Sequence, residues 1–194
     1  MALRDTNEGE LRDGFRFRGG HVALDFTATR ARRLKPDPRE LLATPEDLAR
    51  WLTAAGMAEA LPEVSPDALM AARALREAIY ALADAQIGGR APSGDDIATL
   101  NRLAGALAAV PQLDARQKAH WHGDAAALLA LLAREAVLLL GGCDRARIRQ
   151  CEAEGCALLF LDTSRGGDRR WCSMKGCGNK AKVAEFRRRK RDGG

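Results

Sequence analysis

Four cysteines near the C-terminal end of the chain are arranged in two pairs with the same internal spacing. Four residues separate Cys151 from Cys156, and four separate Cys172 from Cys177. Two tight loops of this kind, brought together by a hairpin, can direct four thiolates at one metal ion, and a tetrahedral set of sulfurs suits Zn²⁺. Because four protein ligands leave no open coordination position, we predict one structural zinc ion without a catalytic role.

A glycine stands just before the second cysteine of each pair, at Gly155 and Gly176. Glycine permits the positive φ that such loops often need, and it lets backbone N–H groups point at the sulfurs. Two disulfides are an alternative to zinc, but nothing in the sequence indicates an oxidising compartment. An iron–sulfur cluster is another alternative, but paired loops around a hairpin fit zinc better. Cys143 lies outside both loops, and we expect it to be a buried thiol and not a fifth ligand.

Positive charge is concentrated in the same part of the chain. Residues 144–194 contain 14 Lys or Arg and 7 Asp or Glu, whereas the whole chain contains 31 and 26. The remainder is therefore slightly acidic, and the asymmetry favours a basic module that meets a polyanion. The predicted nucleic-acid contacts are Arg165, Arg169, Arg170, Lys175, Lys180, Arg187, Arg188 and Arg191.

DNA is the expected partner, because a helix can enter the major groove while Arg and Lys contact phosphates. Single-stranded RNA is an alternative, with Trp171 and Phe186 as stacking surfaces, and a protein-binding finger with an acidic partner is another. A solvated, frayed tail is a further interpretation of residues 187–191. We expect Trp171 to be packed within the finger, as we do Val183 and Phe186 of the last helix.

The cysteine-containing region is predicted to consist of short strands followed by one helix. The segments ARIRQC, ALLFLD and RRWC have strand-like compositions, and the helix is expected from about Gly178 to Lys190. This region has too few apolar residues to fold without a cross-link or a bound metal, so zinc should be integral to its folding.

The preceding region is rich in helix signals. Its predicted helices end near residues 55, 85, 110 and 140, and residues 112–122 are predicted to form a strand or hairpin. The expected N-cap residues are Thr44, Ser65, Ser93 and Asp124. The fold class is therefore α+β: a mostly helical domain with a small strand component over residues 1–142, and a small zinc finger of β-hairpin and helix over residues 143–194.

The segment Phe15–Thr29 is predicted to be a strand, with a turn or bulge at Gly19-Gly20. Its polar side chains could surround a small ligand near the glycine turn, or they could be the exposed face of a strand. The candidate ligand contacts are Arg18, His21, Asp25, Thr27 and Thr29.

Motifs that mark common enzymes are not found. The sequence has no nucleophile elbow, no phosphate-binding glycine loop and no HExxH, so we assign no catalytic residues and predict that the protein is not an enzyme. An unrecognised activity built from His21 and Asp25 is the alternative. The longest apolar run, Ala125 to Leu140, is short and interrupted by charges, and no signal peptide is visible, so we expect a cytoplasmic protein.

The finger resembles a known family. The stretch RIRQCEAEGCALLFLDTSRGGDRRWCSMKGCGNKAKVAEFRRRK is similar to the CGNR-type zinc finger, which is named for the residues at and after its last ligand. In this chain those residues are Cys177, Gly178, Asn179 and Lys180. The lysine in place of arginine keeps the positive charge, but it cannot donate two parallel hydrogen bonds to one phosphate or carboxylate as a guanidinium does.

The upstream region resembles the ABATE domain, the usual partner of this finger. The resemblance rests on FRFRGGHVALDF-x-x-T and on P-x-x-L-x-x-W-L, which here begins at Pro45 and ends at Trp51-Leu52. The family's LDLVNT motif reads LDFTAT, with Ala28 at the asparagine position. Together the two resemblances imply a transcription regulator that acts in stress responses. Since a regulator needs an input, we expect the first domain to sense a small molecule.

Overall fold

The computed structural model describes residues 10–192 of the chain. Helices account for most of the regular structure, as the sequence predicts. The helices of the described part are α1 (Val22–Thr27), α2 (Pro45–Ala54), α3 (Pro66–Ile87), α4 (Gly94–Ala104), α5 (Ala125–Gly141) and α6 (Asn179–Asp192). Two short turns of other pitch accompany them, a 3₁₀ turn at Cys143–Arg147 and a π-helical turn at Met174–Gly178.

The strands form four separate antiparallel pairs in the described region. The pairs are β1 (Glu10–Arg12) with β2 (Phe15–Phe17), β3 (Arg30–Ala31) with β4 (Arg39–Glu40), β5 (Val110–Leu113) with β6 (Ala119–His122), and β7 (Ile148–Gln150) with β8 (Leu159–Leu161). The hairpin predicted over residues 112–122 is confirmed as β5–β6. The architecture is α+β, as expected.

Helix starts follow the capping chemistry of the sequence. The Thr44 side chain accepts a hydrogen bond from the Asp47 N–H, and the Asp47 carboxylate accepts one from the Thr44 N–H, so α2 begins with a capping box. The side chains of Ser65 and Asp124 accept hydrogen bonds from the Ala68 and Ala127 N–H groups and so cap α3 and α5. Ser93 precedes α4 but makes no side-chain capping bond. The predicted positions of these helices are confirmed, except that α4 ends at Ala104, about six residues before the predicted end.

The strand predicted over Phe15–Thr29 is wrong beyond Phe17. Two glycines follow β2, and the chain then turns into α1, whose N-cap is His21. Every residue of α1 is buried, because α3 and α5 cover it from one side and β8 from another. A short helix that is buried all round has no polar stripe, so its sequence carries no helical period to distinguish it from a strand.

The main core surrounds α3 and α5 and includes Trp51, which packs between Phe17 and Phe26. It also contains a fully buried charged residue, Arg76, which is 2% exposed. Glu40 binds Arg76 through two hydrogen bonds of 2.6 and 2.7 Å. A buried guanidinium is tolerated only when it is paired in this way.

The β7–β8 hairpin belongs to two cores at once. Ile148, Leu159 and Leu161 pack into the main core, whereas Phe160 packs against a second cluster that contains the cysteines. This alternation follows from the period of two along a strand, which points successive side chains to opposite faces. The hairpin therefore joins the N-terminal helices to the finger.

Three smaller predictions about the C-terminal region are wrong. Cys143 is exposed, because the 3₁₀ turn that follows α5 buries none of its residues. Val183 and Phe186 are 48% and 69% exposed, because α6 projects away from the finger instead of folding back on it. The segment RRWC forms no strand. Within residues 10–192, no helix is long and apolar enough to cross a membrane.

Candidate metal centre and basic surface

The first cysteine loop begins where β7 ends. The Cys151 N–H donates to the Leu158 carbonyl at 3.0 Å, and the Cys156 N–H donates to the Ala153 carbonyl at 2.9 Å, which closes a tight turn. Gly155 has φ +68°, a conformation that favours glycine, so the predicted need for glycine before the second cysteine is confirmed in this loop.

The second loop is built differently. The Ser173 hydroxyl accepts a hydrogen bond from the Gly176 N–H at 3.2 Å, and the π-helical turn then leads directly into α6. Gly176 does not take a positive φ. A Cβ at this position would lie 3.4 Å from Nη1 of Arg18, which is an ordinary contact, so the structure does not require glycine here.

The two loops bring four sulfurs together. The Sγ atoms of Cys151, Cys156, Cys172 and Cys177 all lie within 4.8 Å of one another, and those of Cys172 and Cys177 are 3.7 Å apart. A tetrahedron with zinc–sulfur bonds of about 2.3 Å has edges of about 3.8 Å. The spacing and the all-sulfur donor set therefore fit Zn²⁺, and the cluster can bind one zinc ion.

The clustered thiols do not ionise independently of one another. Hydrogen bonds from Cys156 and then Cys172 lower the pKa of Cys151. The corresponding bonds to Cys151 raise the pKa of Cys156 to about 11, and bonds within the cluster together with burial raise the pKa of Cys172. Four thiols this close cannot all ionise alone, because like charges repel, so a divalent cation is the natural partner of the set.

Arg169 supports the metal centre from within the finger. Its guanidinium donates to the carbonyl oxygens of Trp171 at 3.0 Å and Cys172 at 2.6 Å, and it stacks 4.4 Å from the Phe160 ring centroid. Because these contacts use the guanidinium, Arg169 is directed inward and not toward an external phosphate.

Asp162 is a supporting residue that the sequence reasoning did not identify. Its carboxylate is buried and accepts hydrogen bonds from the N–H groups of Ser164 at 2.9 Å and Arg169 at 3.0 Å. Asp162 thereby orders the turn between β8 and the second cysteine loop. The signal that marks it is an aspartate followed two residues later by serine after an apolar strand, as in an Asx turn.

The other predicted nucleic-acid contacts are on the surface. Arg170 is exposed but ion-paired with Glu152 at 2.6 Å, and it lies over the half-buried ring of Trp171. The remaining residues are exposed on the turn after β8, on the second cysteine loop and along α6. They are Arg165, Lys175, Lys180, Arg187, Arg188 and Arg191.

Four of the residues expected to bind a small ligand have hydrogen-bond partners inside the chain. Asp25 accepts a 2.6 Å hydrogen bond from the Gly19 N–H, and the hydroxyls of Thr27 and Thr29 donate to carbonyls one turn back in α1, each at 2.7 Å. His21 caps the same helix through Nδ1. The buried Nε atom of Arg18 has no hydrogen-bond partner among the described residues, and a ligand site at these five residues remains a prediction.

Family models of known proteins match two parts of the chain. Residues 20–142, more than half of the chain, match ABATE, which is described as "Putative stress-induced transcription regulator". Residues 147–190 match the CGNR zinc finger, and this range contains all four clustered cysteines. No curated protein gives a match. Neither matched family is an enzyme family.

Proposed function

The chain belongs to the ABATE family, and from this premise we propose that it regulates transcription by binding DNA through its zinc finger. In this proposal residues 1–142 form a domain that senses a small molecule, and residues 143–194 form the DNA-binding finger. The protein acts in the cytoplasm on stress-responsive genes, and zinc fixes the geometry of the binding surface without taking part in chemistry.

The observation that carries the proposal is the exposure of α6. Its side chains from Lys182 to Arg191 are exposed, and the helix packs chiefly against the π-helical turn at its base. A helix that projects from a metal-fixed frame has the dimensions to enter a major groove. The second cysteine loop holds the base of this helix, so zinc binding determines its direction.

The charges on α6 suit a phosphate backbone. Arg189 forms an ion pair with Glu185, while Arg187, Arg188 and Arg191 have no carboxylate partner within the described residues. Cations without intramolecular partners can replace the counterions of DNA, and release of those counterions favours binding at low salt. Lys175 and Arg165 extend the same basic surface onto the finger.

The exposed Phe186 supports a second candidate, single-stranded RNA. An aromatic ring among cations offers a surface on which a base can stack. Trp171 is less suited to this role, because its ring is half-buried and covered by Arg170.

The test is fluorescence anisotropy of the zinc-loaded, full-length protein with random duplex DNA and single-stranded RNA over a salt series. We expect duplex binding that weakens steeply with salt. Arg187→Ala with Arg188→Ala should flatten the slope of log K against log [salt] by about two, since each phosphate contact contributes about one. The matched control is Arg102→Ala with Arg116→Ala, which removes two exposed cations of α4 and of the β5–β6 turn, outside the finger, and should leave the slope unchanged.

Point variants are preferable to deletion of the finger, because the β7–β8 hairpin is part of the main core. Equal affinity of the α6 variant and the parent would contradict the proposal. Binding to RNA alone would favour the second candidate. Binding to neither polymer at low salt would contradict both and would indicate a finger that binds an acidic protein.

A further inference from the structure

A cleft of about 590 Å³ lies between the N-terminal domain and the finger. One wall is formed by the end of α1 and the segment around β3, and the other by the first cysteine loop and the start of α6. Lys35 lies directly against Gly155 and so bridges the two walls. The volume is within the range of pockets that hold small molecules.

The charged groups of the cleft are predominantly cationic. Arg16, Lys35 and Lys180 line it, and none of the three has an ion-pair partner in the part of the chain that the structure describes. Two more lining arginines are already paired, Arg30 with Glu40 and Arg32 with Asp37. Cations grouped without internal partners are the usual means of binding an anionic group.

Two glutamates also line the cleft, but they do not cancel this charge. Glu152 is ion-paired with Arg170, which is not among the lining residues, and Glu154 is exposed. A carboxylate or phosphate near Lys35 and Lys180 would therefore still meet a net positive environment.

The floor of the cleft is apolar. The apolar lining consists of the buried Leu158, the half-buried Ala28, Ala157 and Ala181, and the exposed Ala184 of α6. A nucleic-acid phosphate would not use such a floor, whereas a small molecule with an apolar body would bury surface against it.

We propose that this cleft binds a small organic anion, with its carboxylate or phosphate group at Lys35 and Lys180 and its apolar body on the alanine-rich floor. The binding itself is independent of the proposed function, but its regulatory meaning rests on that function. The site differs from the one expected around the glycine turn and shares only Thr27 with it.

The position of the cleft couples the anion to the finger. Cys156 and Cys177 line it, so the zinc site shapes one wall, and Lys180 belongs both to the cleft and to the basic face of α6. An anion bound to Lys180 removes a cation from the DNA-binding surface. The anion should therefore weaken DNA binding, and DNA should weaken anion binding by the same factor.

The test is isothermal titration calorimetry of the zinc-loaded, full-length protein with phenyl phosphate. Inorganic phosphate supplies the charge alone, and benzyl alcohol supplies the apolar body alone. We expect one saturable site for phenyl phosphate, with clearly weaker binding of either comparator. Lys35→Ala with Lys180→Ala should weaken binding by about a hundredfold, since each charge-assisted contact is worth about tenfold. Arg102→Ala with Arg116→Ala is the matched control and should bind like the parent.

A second variant tests the shape of the site without changing its charge. Ala181→Leu should fill the floor and abolish phenyl phosphate binding while the protein retains one equivalent of zinc. The proposal is overturned if phenyl phosphate does not bind, if inorganic phosphate binds equally well, or if Ala181→Leu binds like the parent. Anion binding without DNA binding would contradict the proposed function alone, and DNA binding without anion binding would contradict this inference alone.

Discussion

The Leu161 N–H donates a 2.7 Å hydrogen bond to the Gly19 carbonyl, which joins the finger hairpin to the N-terminal domain through main-chain atoms. The Gly19 N–H in turn donates to the Asp25 carboxylate at 2.6 Å. One residue thus connects β2, α1 and β8. Only glycine fits there, because an ideal Cβ would lie 2.8 Å from the Leu24 Cβ and 2.9 Å from the Asp25 nitrogen.

Gly19→Ala should therefore lower the free energy of unfolding by about 2–3 kcal/mol, as expected for overpacking in a core that cannot relax. Chemical denaturation of the zinc-loaded protein measures this change. The control is Gly94→Ala, at the start of α4, where a Cβ would meet nothing within 4 Å. If both variants lose the same stability, the close approach at Gly19 is not the cause.

Cys172→Ser should abolish stoichiometric zinc binding and unfold the two cysteine loops of the finger, while α3 and α5 stay folded. The reason is that the second cysteine loop depends on the metal, whereas the helices depend on the main core. Amide hydrogen exchange should show lost protection in the two cysteine loops, residues 151–157 and 172–178, and retained protection in α3 and in β8, which belongs to the main core. Cys143→Ser, at an exposed cysteine outside the cluster, should change neither zinc content nor exchange.

Glu40→Gln should destabilise the protein by about 2–3 kcal/mol, because it leaves the buried Arg76 with a single carboxylate, that of the half-exposed Glu77 at 2.8 Å. Burial alone would raise the pKa of Glu40, but hydrogen bonds from Arg76 and the Leu42 N–H outweigh it and lower that pKa below 4.5. Asp37→Asn removes an exposed ion pair with Arg32 and serves as the control, with an expected loss below about 1 kcal/mol.

The same pair predicts a pH dependence. A carboxyl group whose pKa is lower in the folded state stabilises the protein above its unfolded pKa, and this contribution is lost as the pH falls through the folded pKa. The difference in unfolding free energy between the parent and Glu40→Gln should therefore shrink as the pH falls below 4.5. A difference that stays constant across this range would rule out the ionised pair as its source.

Arg169→Lys should weaken zinc affinity by about tenfold or more, because lysine cannot bind the carbonyls of Trp171 and Cys172 simultaneously with a planar fork. Competition with a chromogenic chelator measures this affinity. Arg165→Lys, on the exposed turn nearby, should leave it unchanged. Weaker nucleic-acid binding with unaltered zinc affinity would instead assign Arg169 to the contact surface.

Phe186→Ala should leave stability within about 0.5 kcal/mol of the parent, because the ring is largely exposed. Its effect on binding distinguishes the two candidate polymers. Loss of a stacking contact should cost about 1–3 kcal/mol of affinity for single-stranded RNA, whereas phosphate contacts to duplex DNA should persist. Val183→Ala, one helical turn earlier and also exposed, is the matched apolar control.

The cysteine cluster could be predicted from the sequence because coordination chemistry restricts both the spacing and the residue types of its ligands. The helices with caps at Thr44, Ser65 and Asp124 could be predicted for a similar reason, since unsatisfied N–H groups require a polar cap. In both cases the determining interactions are local.

Other features depend on residues far apart in the sequence and could not be predicted. Arg76 is buried because of Glu40, which is 36 positions away. Helix α1 is shaped by the elements that cover it, and the inward direction of Arg169 depends on the fold of the turn after β8. Phe186 is an apolar residue that was predicted to be packed but is exposed. An apolar residue on a helix does not by itself indicate what the helix packs against.

The two-faced β7–β8 hairpin also limits how this protein can be divided. Cutting the chain at residue 143 would strip Ile148, Leu159 and Leu161 of their apolar neighbours and leave a gap among the helices. The finger therefore cannot be transferred to another protein by itself. A chimaera that carries it to another protein would need to bring a substitute for the N-terminal surface, and an isolated finger should aggregate even when fully loaded with zinc.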